Sequence, residues 1–233
     1  MIGIIGAMEI EVKTLKAMLE EPKTETVSGV EFVSGKLCGR EVVVAACGIG
    51  KVFAAIAAEA MILKYAPEII INSGVGGALD KKLKIADIVI ADFVVQHDMD
   101  TTAFKDPPGF LSGINIVNIP AAEYVNIALA KSADAAGITH YSGIVASGDE
   151  FVDSIARKKE IADTFGAAVC EMEGASIGHV CYVNNVDFAV IRSVSDTLDD
   201  NSNMEYSEFA AVAAANSIKV IAGFIENYGP KKH

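Results

Sequence analysis

An α/β protein with a largely buried sheet is the fold this sequence predicts. Short Val/Ile-rich runs alternate with longer helical patterns along all 233 residues. Several of those runs are apolar throughout, the signature of strands covered on both faces. No repeat, low-complexity tract or linker divides the chain, so a single domain over 1–233 is expected.

In order, strands are expected near 2–6, 29–36, 41–47, 68–73, 87–96, 114–118, 140–147, 167–171 and 186–195. Helices are expected near 8–21, 51–65, 121–136, 155–164, 173–184 and 204–227. In the first helix Met8, Val12, Leu15 and Leu19 form the apolar stripe. Glu9–Lys13 and Lys16–Glu20 have the spacing of ion pairs on a solvated face. Pro120 and Gly137 bracket the third helix as start and stop signals. Ser202 and Glu205 have capping-box spacing before the last helix, and Lys231–His233 reads as a frayed end. The helix at 51–65 is apolar nearly all round, so it needs cover on more than one side, and a homodimer contact is the favoured cover.

Composition narrows the function. A formal net charge of −12 without any Lys/Arg cluster argues against a nucleic-acid partner. No apolar run reaches the roughly 18 residues of a membrane span. With the first strand placed at Ile2, no secretion leader is expected. Cys38, Cys47, Cys170 and Cys181 lack CxxC spacing and read as free thiols of a reducing compartment. The expected location is the cytoplasm.

Three acidic positions could carry chemistry. Glu11 lies in a first helical turn at the edge of the buried stripe, where the helix dipole favours an ionised carboxylate. That suits a general base, although acidic residues favour first turns anyway. Asp196 ends an apolar strand that turns polar at Arg192, Ser193 and Ser195. Ligands of open α/β sheets gather at such strand ends. Hydrogen-bonded by Ser195 and partly buried, Asp196 would make a general acid; as a bland alternative it merely opens a turn. Glu171-Met172-Glu173 also stands at a strand end, and suggests a carboxylate holding ribose hydroxyls beside an apolar wall. For Glu171, compensation of a helix dipole is the strong alternative.

Gly48-Ile49-Gly50-Lys51 lacks P-loop spacing. Gly74-Val75-Gly76-Gly77 stands too close to the next strand for a dinucleotide-binding crossover. Both read as tight turns that bring backbone near a ligand. His97 and Asp98 are adjacent and would point to opposite faces of a strand, so no metal site is expected.

The segment Ile4–Val12 resembles the amino-terminal motif of the 5′-methylthioadenosine/S-adenosylhomocysteine nucleosidases. Gly48–Lys51, Ile71–Gly74, His97-Asp98 with Thr102–Phe104, Ser147–Asp149, Glu171–Glu173 and Arg192–Asp196 follow in the family's order over essentially the whole chain. The resemblance implies a three-layer fold with a mixed central sheet flanked by helices, acting as a homodimer without a cofactor on a nucleoside and water. Carried over by position, Glu11 would activate water and Asp196 would protonate adenine. Met172 and Glu173 would hold the ribose, while Gly77, Phe151 and the Val152 backbone would contact the nucleoside. Arg192 would place Glu11 and the water. Met8, Ile49, Phe104, Ser195 and Tyr206 complete the substrate-binding set.

Two features depart from the family's pattern. Val75 stands where Ser or Thr is usual, and Lys105–Phe110 is a shortened loop beside the 5′-substituent pocket. The alternatives are a futalosine-type nucleosidase, a phosphate-dependent phosphorylase and a non-catalytic nucleoside sensor. Glu11 would repel phosphate, and a pure binder needs neither Glu11 nor Asp196.

Overall fold

The computed structural model describes residues 1–197 and 203–228, with residues 203–212 described by backbone alone. In chain order the elements are β1 (Ile2–Gly6), α1 (Glu9–Ala17), β2 (Glu20–Val27), β3 (Val30–Leu37), β4 (Arg40–Ala46) and α2 (Lys51–Tyr65). Then come β5 (Ile69–Ala78), β6 (Ile88–Gln96), β7 (Ile119–Pro120), α3 (Glu123–Ala135) and β8 (His140–Ser147). Last are α4 (Ile155–Phe165), β9 (Ala167–Glu171), α5 (Gly174–Val183), β10 (Asp187–Asp196) and α6 (Asn203–Asn227). All ten strands belong to one mixed sheet.

The sheet curls on itself. Starting from β5, each strand pairs with the next in the order β5, β10, β6, β8, β9, and β9 pairs back onto β5. Beyond this closed ring the sheet runs out through β1 and β4 in parallel, then β3 and β2 antiparallel. Every residue of β1 is buried, as expected of a strand with helices on both faces. On one side α1, α3 and α6 bring Val12, Leu15, Leu129, Ile221 and Phe224 against Ile2, Ile4 and Ile71. On the other, α2 and α5 bring Ala57, Met61, Ala175 and Ile177 against Ile5, Ile70 and Val190. These are the two helical layers the resemblance implies.

Three local expectations need correction. The first helix stops at Ala17 rather than 21, and the chain turns into β2, which no pattern announced. β2 (EEPKTETV) is exposed along its length and has a bulge between Glu20 and Lys23 around Pro22. Charge, Pro and a bulge are how an edge strand resists pairing with another chain, and they also erase the alternation that would announce it. Lys16 accordingly pairs with Glu9 at 2.8 Å and Glu31 at 3.3 Å, not with Glu20. The strand expected at 114–118 is an isolated bridge between Leu111 and Ile116, followed by the two-residue β7. Finally, Gly74–Gly77 is no turn but lies inside β5, whereas Gly48 and Gly50 do turn the chain with φ of 95° and 99°. Gly137 follows α3 with φ of 65°, as its stop signal requires. Ser202 and the terminal Lys231–His233 lie outside the described residues.

Phe224 anchors α6 to the sheet, 1% exposed and stacked at 4.9 Å on Tyr228. Phe224→Ala is expected to cost about 3–5 kcal/mol, read as a lowered urea midpoint with an unchanged slope.

Candidate active site

One cavity gathers most of the sequence-predicted residues. Met8, Glu11, Ile49, Gly77, Phe151, Val152, Met172, Glu173, Ser195 and Asp196 line it, together with Val75. It opens at the carboxyl ends of β1, β5, β9 and β10, where their helices and loops depart.

Glu11 reaches back from the first turn of α1. Its Oε2 accepts the backbone N–H groups of Ala7 and Met8, both at 2.8 Å, and its Oε1 accepts that of Val75 at 3.2 Å. The residue is therefore a helix cap and a cavity carboxylate at once. Burial pushes its carboxyl above the usual glutamate range; the Met8, Val75 and Ala7 amides and the Arg192 charge pull the other way without cancelling it.

Asp196 lines the same cavity. Ser195 Oγ donates to its Oδ1 at 2.8 Å, the bond expected from the sequence. Its Oδ2 accepts from Lys158 Nζ at 2.6 Å, a contact that sequence reasoning did not foresee. Both catalytic candidates press on β5. A β-carbon at Gly74 would lie 2.9 Å from Glu11 Oε1, and one at Gly77 3.0 Å from Asp196 Oδ2, so a larger residue at either position would crowd the carboxyl.

The two glutamates around Met172 divide their work. Glu171 is a structural anchor: it accepts the N–H groups of Glu173 and Gly174 at the start of α5, a hydroxyl from Ser147 and an ion pair from Arg192. Burial disfavours its charge, but the Arg192 guanidinium and these donors outweigh burial and hold it below the usual range. The dipole-compensating alternative thus holds for Glu171. Glu173 faces the cavity, and its Oε1 accepts the Gly50 N–H at 2.8 Å. Burial and the neighbouring Glu171 charge push its carboxyl up to about 7.

Two expected site residues do not join the lining. Arg192 is 1% exposed behind the wall, committed to Glu171 and Asn72, and it reaches Glu11 through its field and not through a hydrogen bond. Phe104 is 81% exposed. Tyr206 lies outside the described residues. Conversely, Ala7, Gly76, Glu150, Cys170 and Glu171 line the cavity without having been singled out as ligand contacts. Ala7 and Gly76 adjoin residues that were, but Cys170 carries no signal beyond its apolar strand.

A family model described as Phosphorylase superfamily matches residues 1–226. The 5′-methylthioadenosine/S-adenosylhomocysteine nucleosidase of Shewanella pealeana is 41% identical over 226 residues, covering 97% of this chain and 98% of its own. This chain belongs to that nucleosidase family. Its fold superposes on the Neisseria meningitidis nucleosidase in complex with methylthio-immucillin-A with a TM-score of 0.94, at 34% identity, covering 97% and 99% of the two chains. The futalosine hydrolase of Helicobacter pylori is as similar in shape, with a TM-score of 0.93, 35% identity and 97% of each chain covered. The chain is accordingly a purine nucleosidase, an N-glycosyl hydrolase.

Glu173 gives a thermodynamic prediction. A folded-state value of about 7, above the ordinary 4.5, means stability is lost as pH rises from the lower value through the upper. Glu173→Gln removes the buried charge, so its Tm relative to the wild type should be higher at pH 8 than at pH 4.5, read by scanning calorimetry. An unchanged difference would count against a raised Glu173.

Proposed function

We propose that this chain hydrolyses the N-glycosidic bond of 5′-methylthioadenosine and S-adenosylhomocysteine, releasing adenine and the 5′-substituted ribose. Its taste for 5′-deoxyadenosine would follow from the same site. The observation that carries the reading is that Glu11 and Asp196 line one cavity together with Met172 and Glu173. The residue roles follow from the chemistry. Cleavage builds positive charge on the sugar and negative charge on the purine. Asp196 gives a proton to the leaving adenine, and Glu11 takes one from the attacking water. Glu11 arrives as a base with a carboxyl already raised by burial, so it accepts that proton readily. Glu173 holds the ribose hydroxyls against Met172, the Val152 backbone reads the adenine edge, and Met8, Ile49 and Phe151 provide apolar walls. The reaction calls for no cofactor.

In this reading residues 1–233 form one nucleosidase domain, acting in the cytoplasm. Among the described residues, no helix is long and apolar enough to cross a membrane. A second copy covers the open face of α2, where Val52, Phe53, Ile56 and Leu63 are 68%, 56%, 38% and 75% exposed, and Tyr182 and Val183 of α5 extend the patch. A futalosine-type substrate is the second reading, favoured by the likeness to the Helicobacter pylori hydrolase. Both share the catalytic pair and differ only in the 5′ group.

Purified protein should release adenine from 5′-methylthioadenosine in phosphate-free buffer. A requirement for phosphate would overturn hydrolysis, and a higher kcat/KM on futalosine would favour the second reading. Glu11→Gln and Asp196→Asn should each lower turnover by about 10²–10⁴-fold while circular dichroism stays native. Leu63→Glu should convert a dimer to a monomer in size-exclusion chromatography with light scattering. A wild-type monomer would sink the dimer.

A further inference from the structure

The amino-terminal half of α4 carries the run Arg157-Lys158-Lys159-Glu160, which has the look of a solvated face. Arg157 meets that description, pairing with Glu150 and Glu160 at 3.0 Å each, and Lys159 is exposed. Lys158 does not. It is 1% exposed, and its Nζ donates to Asp196 Oδ2 at 2.6 Å and to the Thr197 carbonyl at 3.1 Å. Two costs oppose this placement. Burying an ammonium group is expensive, and the amino-terminal turn of a helix disfavours positive charge. α4 begins at Ile155, with Ser154 Oγ capping the Arg157 N–H at 3.2 Å, so Lys158 stands where the dipole repels it. A residue set against its local preference at the edge of a cavity points to work done there.

We propose that Lys158 is a positioning residue for the acid Asp196, clamping the end of β10 by side chain and backbone together and receiving the charge that proton donation leaves behind. The inference rests on the nucleosidase reading and deepens it. In the step itself, the O–H bond of the Asp196 carboxyl breaks and its proton passes to a ring nitrogen of the adenine. The electron pair of the C1′–N bond departs with the purine. Water adds to the sugar and gives its own proton to Glu11. Asp196 is left as a carboxylate, and an ammonium group already 2.6 Å away stabilises it without rearrangement. Among the described residues no other cation is so placed: Ser195 Oγ donates to the other oxygen but is neutral, and the Arg192 guanidinium is spent on Glu171 and Asn72. The thiol of Cys170 registers the same neighbourhood. After burial, the Asp196 charge is what pushes it up to about 12, with Lys158 opposing.

The test is a kinetic cycle on the full chain with 5′-methylthioadenosine, measuring kcat and KM separately. Lys158→Met is expected to lower kcat at least about 10-fold, as misplacement of a catalytic group does, with KM within about two-fold. Lys158→Arg, which keeps the charge, should recover part of that loss. In the Asp196→Asn background, Lys158→Met should cost less than about two-fold further, because the carboxyl it serves is gone. Equal losses in both backgrounds, or a loss confined to KM, would show a merely structural lysine and overturn the inference. If Lys158→Met does not fold, Lys158→Arg is read through the same cycle: a loss of kcat confined to the parent with Asp196 supports the clamp, and no loss or an equal loss refutes it. A wild-type chain that releases no adenine sinks the nucleosidase reading itself. Active wild type with additive losses sinks only the role of Lys158.

Discussion

Five carboxylates line one cavity, and the site depends on how two buried cations are shared among four of them. Glu11, Glu171, Glu173 and Asp196 line the same space. Arg192 and Lys158, both 1% exposed, face them from behind the wall. Arg192 gives its ion pair to Glu171, and Lys158 gives its own to Asp196. Glu11 and Glu173 are left with the field of Arg192 but no direct partner, so burial dominates and both carboxyls are raised. Two of the carboxylates thus have an ammonium or guanidinium in direct contact, and two do not. Breaking either pair by removing one partner would leave a buried charge uncompensated, a loss of about 3–5 kcal/mol in other proteins.

The closed ring of strands explains why these groups meet at all. β5, β10 and β9 belong to one ring, so the residues at their ends face a common rim instead of spreading along a flat edge. β1 lies beside β5, and the turn from β1 into α1 brings Glu11 to the same rim. Glycine then decides how closely the rim can be approached. At Gly74 and Gly77 the side chain that is missing is the space the carboxyls occupy.

How much of this the sequence disclosed follows from what kind of signal each part leaves. The buried strands were legible because covering both faces forces continuous apolar runs, and Ile2–Gly6 and Ala167–Glu171 fall where expected. β2 was not, since an edge strand that avoids aggregation is written in Glu, Lys, Thr and Pro, the letters of a loop. In the site, Glu11, Asp196 and Glu173 were legible because motif order and strand ends mark them. The place of Arg192 behind the wall was not, because spacing along a strand does not say which partner a long side chain takes. Lys158 was invisible for a related reason. Inside an Arg-Lys-Lys-Glu run, the residue turned inward has the same letters as those turned out, and only the position of Asp196 across the gap distinguishes it.

The charge ledger also bears on which nucleophile the cavity accepts. A phosphorylase must hold an anion beside the sugar, which calls for cationic or free amide donors at the amino-terminal loop. Here the Ala7 and Met8 amides at that loop are already given to Glu11, and so is the Val75 amide from β5. An entering phosphate would meet the Glu11 carboxylate with those donors occupied and both buried cations committed elsewhere. Water carries no charge, and it needs a base more than it needs an anion hole. In the proposed mechanism the bonds that hold Glu11 in place are the same ones that would take a phosphate site away, so positioning the base and choosing the nucleophile would be one act of the structure.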